Sequence, residues 1–226
     1  DLAAAVVTGQ DWLEPAPDTD GIYPYSVKQT PVLWLDFDQG ERRVRERLGA
    51  LLRDRNVKDA SNLPLTAYSM PRNGLDMSQP EHADKLAALI ELTEAGMVVI
   101  DNLGLVSGGR DENSGQMIPV MGNLRRVTEQ TGATVFIIHH ANKGSKGDDN
   151  RRAGDRLRGH SSIEASLDLA LLIDRDESRA DVFVKATKTR DKGFEPFGAR
   201  FAFDETLEGA LLYARFQQIP WRASCP

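Results

Sequence analysis

The chain has 226 residues, of which 40% are hydrophobic and 27% charged, a balance typical of a globular protein that buries a core. Its net charge of −6 argues against a generally basic nucleic-acid-binding protein, although it allows a local basic loop. Since its one cysteine, Cys225, permits no intramolecular disulfide and no apolar run approaches the roughly 20 residues that span a bilayer, we expect a soluble, cytoplasmic protein without membrane contact.

The first segment, residues 1–8, is built of helix-compatible apolar residues and stops at Gly9, a common C-terminal helix signal. No N-cap and no strand precede it, so the chain begins within an element; a short frayed helix is the alternative. Residues 10–31 contain four prolines and are predicted to form a loop.

Three apolar runs of strand length follow; two amphipathic helices separate the first from the second, and one separates the second from the third. They are residues 31–37, 97–100 and 133–138, and all three are predicted to be buried strands of a sheet covered on both faces. Three intervening helices are predicted. The first spans about 41–55, the second follows a capping box of Ser78 with Glu81, and the third runs from Met117 to near Gly132.

The remainder of the chain is predicted to be mainly strands. Residues 104–116 are predicted to form a glycine-rich loop and residues 142–160 a polar, mobile one. A second capping box, Ser161 with Glu164, precedes a short helix. Strands are then predicted at 169–173 and at about 181–187, 198–204 and 209–216.

This order predicts an α/β fold with a mostly parallel central sheet and antiparallel C-terminal strands at one edge. No internal repeat and no convincing linker divides the sequence, so a single domain over residues 1–226 is preferred.

Asp101 is the strongest candidate for chemistry. It ends the strand 97–100, and Asn102 follows it. The carboxyl ends of parallel strands face the crevice in which open α/β sheets bind ligands. In phosphoryl-transfer proteins such an aspartate holds Mg²⁺, although many buried strands end in aspartate only because a turn follows.

Asp38 follows the strand 31–37 in the same way. Two carboxylates at corresponding strand ends suggest one residue for the metal and one that polarises an attacking water. Two alternatives stay open: Asp38 caps the following helix, or Asp36, on the same face of the strand, takes the catalytic role.

The third strand ends in His139 and His140. Adjacent residues of a strand point to opposite sides, and neither a third histidine nor a cysteine lies at zinc spacing, so a zinc site is disfavoured. A neutral imidazole at a strand tip is instead suited to donating a hydrogen bond to a phosphate oxygen.

These strand ends, in this order, resemble the RecA-like ATPase core of hexameric replicative helicases, most closely the RepA type, with the DnaB type and KaiC-like ATPases more distant. The resemblance extends over nearly the whole chain. It is carried by the segments VLWLDFDQGERRVRERLGAL, VVIDNLGLVSGG, NLRRVTEQTGATVFIIHHANKG, RLRGHSSIEASLDLALLI and KATKTRDKGFEPFGARFAF.

The resemblance implies ATP and Mg²⁺ as cofactors and assigns roles to five residues. Asp101 matches the Walker B carboxylate on Mg²⁺, and Asp38 stands where the family has its catalytic glutamate, a departure that bears on the rate. His140 matches the sensor position. Lys188 and Arg190 match the basic pair that acts on the neighbouring subunit's nucleotide, which implies an oligomer such as a hexameric ring; without the resemblance, a solvated turn is the better interpretation of that pair.

By the same resemblance, the 142–160 loop, together with the 106–116 loop, lines the central channel of the ring and contacts single-stranded DNA, or RNA. Its six basic residues outnumber its three acidic ones, and it lacks aromatic residues for base stacking. A charged loop that binds nothing is the alternative. The basic residues are Lys143, Lys146, Arg151, Arg152, Arg156 and Arg158.

The phosphate-binding motif GxxxxGK[ST] does not occur in residues 1–226. In the resembling family the helix after this motif continues into a segment like residues 1–9, and a central strand of the sheet precedes the motif. We therefore interpret the chain as an N-terminally truncated RecA-like P-loop fold that lacks its first strand and phosphate-binding loop, and that hydrolyses ATP poorly or not at all. Two other interpretations stay open: a non-catalytic nucleic-acid-binding or assembly module, and a RecA-like regulator of a protein partner.

Overall fold

The fold is described from a computed structural model. It describes residues 1–17, 19, 22–71, 74–112, 114–140, 161–175, 181–190 and 193–220, with the side chains of residues 161 and 162 left aside. The predicted 142–160 loop, with all six of its basic residues, lies outside the described residues.

Helices and strands alternate in the first part of the chain, and strands dominate the second. The helices are α1 (Leu2–Thr8), α2 (Glu41–Asp54), α3 (Pro80–Thr93), α4 (Leu103–Val106), α5 (Met117–Thr131) and α6 (Ser161–Ser166). The strands are β1 (Val32–Asp36), β2 (Leu65–Ser69), β3 (Met97–Asp101), β4 (Thr134–Ile138), β5 (Leu169–Arg175), β6 (Asp181–Thr189), β7 (Phe197–Glu205) and β8 (Leu211–Ile219).

The first four strands form a parallel sheet in the order β2-β1-β3-β4. Its two central strands are buried on both faces because their side chains alternate between two cores. Leu33 and Ile100 pack with α3 and α5, whereas Val32 and Val99 pack with α1 and α2. The result is a three-layer arrangement with the sheet in the middle.

The last four strands form an antiparallel sheet in the order β5-β6-β7-β8. The α/β class with parallel and antiparallel parts is therefore confirmed, although the antiparallel strands pair with one another and not with the edge of the parallel sheet. The second sheet contacts α2 through β8: the Arg53 guanidinium donates to the carbonyls of Leu211 and Leu212 at 2.8 and 2.7 Å, and Glu46 accepts from the Leu211 amide at 3.1 Å.

Several predicted elements differ from the structure. Strand β1 ends at Asp36, so Asp38 lies in the following turn. Strand β2 was not predicted from the sequence. Strand β4 is not fully buried, because it pairs only with β3 among the described strands and leaves Phe136 37% exposed.

Two predicted helix ends agree with the structure and one capping box does not. Helix α1 ends at Gly9 in a left-handed conformation, as predicted. Helix α5 closes at Gly132 in a left-handed conformation, as predicted. The predicted capping box of Ser78 with Glu81 does not form: α3 begins after Gln79, and the Ser78 hydroxyl accepts from Arg110 at 3.0 Å. None of the helices in the described ranges is long and apolar enough to cross a bilayer.

Candidate functional site at the carboxyl edge of the parallel sheet

Three polar side chains end adjacent strands of the parallel sheet. The pairing places Asp36 of β1 opposite Asp101 of β3 on one side and opposite Ser69 of β2 on the other. Parallel strands end at a common edge, so these residues come together without any long-range loop. This is the edge at which ligands bind in open α/β sheets.

Asp101 is buried, with 4% of its surface exposed. Its Oδ2 accepts a hydrogen bond from the Gln39 Nε2 at 2.9 Å, and the Gln39 Oε1 in turn accepts from the Arg47 guanidinium. Burial raises the pKa of Asp101, and the carboxylates of Asp36 and Asp38 raise it further, against the lowering effect of the Gln39 hydrogen bond. The site therefore favours a cation beside this carboxylate.

Asp36 is fully buried and holds the turn that follows β1. Its Oδ1 accepts from the backbone amides of Asp38 and Gln39 at 3.1 and 2.8 Å, and its Oδ2 accepts from the Gly40 amide at 2.9 Å and from the Ser69 hydroxyl. Burial acts to raise the pKa of Asp36, but these hydrogen bonds outweigh it and lower the pKa. With both oxygens engaged, Asp36 is poorly placed to polarise a water, which disfavours it as the catalytic residue.

Asp38, Asn102 and His140 form a second group at the same edge. The Asn102 Nδ2 lies 3.5 Å from the Asp38 Oδ2 and 3.4 Å from the His140 Nε2, while its Oδ1 accepts from the Leu105 amide and caps α4. Asp38 is exposed. The N-cap of α2 is Gly40, without a side-chain cap bond, so Asp38 does not cap that helix.

Lys188 and Arg190 lie elsewhere, at the end of β6 in the antiparallel sheet. The Lys188 Nζ donates to the Glu164 carbonyl at 2.5 Å and Arg190 donates to the Ala165 carbonyl at 2.6 Å, so both bind the C-terminal end of α6. Arg190 also lies 3.5 Å from the Asp168 carboxylate. Lys188 is partly buried, Arg190 is exposed in the bend after β6, and a role on a neighbouring subunit stays a prediction.

Two residues of the site were missed by sequence reasoning. Gln39 contacts Asp101 directly, and Ser69 bonds to Asp36. An amide in a turn has no distinctive sequence pattern, and Ser69 ends a strand that was itself not predicted. The only feature of the sequence that could have indicated them is their position: Gln39 follows an extended segment, and Ser69 ends one.

Comparison with known proteins defines the family. Residues 1–146 match the family described as AAA domain, which is more than half of the chain. The chain belongs to the AAA domain family. The fold of this AAA domain is similar to that of a KaiC-like protein from the hyperthermophilic archaeon Pyrococcus horikoshii OT3, with a TM-score of 0.53, 13% identity, and coverage of 84% of this chain and 76% of that chain. No curated protein matches the sequence.

AAA domains and KaiC-like ATPases generally bind ATP and Mg²⁺, and the residues of the carboxyl edge fit the metal better than the phosphates. Mg²⁺ is usually held by one or two carboxylates together with substrate phosphates and water, and Asp101 offers such a carboxylate. Within the described ranges, no group of three or more metal-binding side chains is arranged to hold an ion alone. The motif that usually cradles the phosphates, GxxxxGK[ST], does not occur within residues 1–226.

Proposed function

We propose that the chain is the core of an ATP-dependent motor ATPase of the RecA-like, replicative-helicase type, which acts on single-stranded DNA as a ring, such as a hexamer. One observation carries the proposal: the carboxyl edge brings Asp38, Asn102 and His140 into one group beside the buried Asp101. The AAA domain match and the KaiC-like fold support the ATPase part. The DNA and ring parts rest on the resemblance of the sequence to replicative helicases.

The chemistry follows from the position of each group. Asp101 would hold the metal, which neutralises charge on the phosphates when bound. The exposed Asp38 carboxylate would orient and polarise the attacking water. The Asn102 amide, between Asp38 and His140, would keep both side chains in place and connect the water-activating group with the sensor.

ATP hydrolysis tests this proposal. It is measured with Mg²⁺, with and without single-stranded DNA, on residues 1–226 and on the complete product of the gene that encodes them. We expect hydrolysis by the complete product and little or none by residues 1–226, which lack the phosphate-binding motif.

In the complete product, Asp101→Asn and Asp38→Asn should each lower kcat by about 100-fold or more, because the first removes the metal ligand and the second removes the group that polarises the water. The matched control is Asp204→Asn, at an exposed position of β7. Unchanged kcat in both site variants would contradict the proposed site. Ordinary turnover by residues 1–226 would instead contradict only the expected dependence on the phosphate-binding motif.

A second candidate function is a non-catalytic module that binds nucleic acid. The absence of GxxxxGK[ST] from residues 1–226 favours it, as does the local surplus of basic residues in the 142–160 loop. Binding of single-stranded DNA that is independent of ATP and weakens steeply with salt would support this candidate, provided the complete product does not hydrolyse ATP.

A further inference from the structure

We propose that Asp36 is a positioning residue of the ATPase site, whose carboxylate sets the turn that carries both Asp38 and Gln39. The inference rests on the proposed function, because it assigns to Asp38 the activation of water and to Asp101 the metal. It adds a residue that touches neither the nucleotide nor the metal and acts only through its neighbours.

The hydrogen bonds of Asp36 define the path of the chain after β1. The carboxylate accepts three successive backbone amides, those of residues 38, 39 and 40, at 2.8–3.1 Å. A group that binds three consecutive amides fixes the orientation of each peptide plane, and with it the directions of the side chains between them. Gly40, at φ 88°, supplies the left-handed conformation that lets the turn close.

The same carboxylate ties the turn to a second strand. The Ser69 hydroxyl donates to Asp36 from the end of β2, and the Met70 amide donates to the Asp36 carbonyl at 2.7 Å. The turn is therefore anchored on the strand next to β1, on the side away from Asp101. Asp38 and Gln39 are consequently held between the end of β2, to which the turn is bonded, and strand β3, which carries Asp101.

The two side chains that this turn presents are both part of the site. Asp38 lies beside Asn102, and Gln39 bonds to Asp101. A displacement of about 1 Å in a catalytic group costs on the order of 100-fold in rate. The arrangement has an electrostatic cost, because the charge of Asp36 is buried and repels the negative charge of Asp101. A turn that only reversed the direction of the chain would not require this charge.

The geometry of the turn is tested first by NMR on residues 1–226, a measurement that does not depend on ATP hydrolysis. Amide protons of residues 38–40 that donate to a carboxylate should resonate downfield and exchange slowly with solvent. Asp36→Asn should shift all three upfield and speed their exchange by about 10-fold or more, because an amide has one acceptor oxygen where the carboxylate has two. The control is Asp59→Asn, which removes a similar carboxylate from an exposed turn, where Asp59 accepts from the Ser61 amide at 2.9 Å. This control should leave the amide protons of residues 38–40 unchanged.

The catalytic consequence is tested in the complete gene product. Asp36→Asn should lower kcat for ATP by about 10–100-fold and leave KM within about twofold, the pattern of a lost transition-state geometry. Ser69→Ala should lower kcat less, and Ser69→Thr, which keeps the hydroxyl, should restore it. Melting temperatures measured in parallel separate positioning from loss of fold.

The inference fails if Asp36→Asn leaves the three amides unchanged, or if kcat falls only as far as the folded fraction falls. It also fails if Ser69→Thr behaves like Ser69→Ala. A wild-type complete product without any ATPase activity would instead overturn the proposed function, and the amide measurements would still decide whether Asp36 sets the turn.

Discussion

Two aspartates opposite each other in register, Asp36 and Asp101, are both buried, yet their pKa values move in opposite directions. Asp36 has four hydrogen-bond donors around its carboxylate, which stabilise the charged form. Asp101 has the Gln39 amide, but it also faces the negative charges of Asp36 and Asp38. The carboxyl edge therefore contains one satisfied carboxylate and one whose charge is unfavourable until a cation binds.

This difference predicts that Asp101→Asn stabilises the protein at neutral pH. The folded-state pKa of Asp101 is raised, so ionisation of this residue destabilises the fold, and its contribution worsens as pH rises through that pKa. Asparagine avoids the penalty and can still accept from Gln39. We expect a higher melting temperature for the variant than for wild type at pH 7.

The pH dependence distinguishes this cause from a general packing effect. The difference between Asp101→Asn and wild type should shrink as pH falls, because wild-type Asp101 becomes protonated and loses its penalty. Asp204→Asn should match wild type throughout. A stabilisation that is constant with pH, or a destabilised variant, would show that the Asp101 charge is already compensated in the free protein.

At the scale of elements, the short helix α6 depends on residues that are distant in sequence. Its last carbonyls accept from Lys188 and Arg190 of the strand β6 end, and cations at a helix C-terminus are favourable for the helix dipole. Lys188 and Arg190 therefore stabilise α6 within their own chain, and this role is independent of any contact with a neighbouring subunit.

Replacing Lys188 and Arg190 together by alanine should loosen α6. We expect amide hydrogen exchange in residues 163–166 to quicken by about 10-fold, equivalent to about 1.4 kcal/mol, because the orphan carbonyls lose their charged donors. Lys185→Ala is the control, on the same strand but paired with Asp174 at 3.4 Å. Equal exchange in both variants would mean that the contacts contribute nothing to the helix.

The elements that the sequence predicts well are those with a strong periodic pattern or a clear stop. Helix α5 and its end at Gly132 are examples, as is the fully buried strand β3. Strand β2, with the sequence LTAYS, escaped prediction because it lies at a sheet edge, where its side chains stay partly exposed and no continuous apolar run is required.

The site was predicted in part, for a related reason. The ends of the predicted strands point to Asp101, Asp38 and His140, and the resemblance adds the role expected of each. Which of Asp36 and Asp38 faces solvent depends on where β1 stops, and strand ends are the least certain part of a sequence interpretation. Gln39 and Ser69 become recognisable only when the register aligns β1 with its two neighbours.

At the scale of the whole molecule, the two sheets are connected largely through one helix. The exposed Arg53 of α2 bonds to two carbonyls of β8, and Glu46 bonds to an amide of the same strand. Ala214 of β8 is buried in the same core cluster as α1 and α2. The docking of the antiparallel sheet thus combines polar contacts at the surface with apolar packing beneath them.

Arg53→Ala should weaken this docking. We expect a loss of about 1 kcal/mol in the free energy of unfolding and faster amide exchange over residues 211–215, because two backbone carbonyls lose their donor. Arg45→Ala, on the same helix, removes only an exposed ion pair with Glu41 and should change neither quantity measurably. If the two variants behave alike, the Arg53 hydrogen bonds contribute nothing measurable to the docking.

The position of β4 and β5 at the edges of their sheets has a consequence for handling the polypeptide. Phe136 on β4 and Ile173 on β5 are 37% and 62% exposed, and an edge strand with apolar side chains is a template for pairing with another molecule. The yield and shelf life of residues 1–226 should therefore depend on concentration more than on temperature. Dilute storage would therefore protect preparations of this chain better than added folding stability.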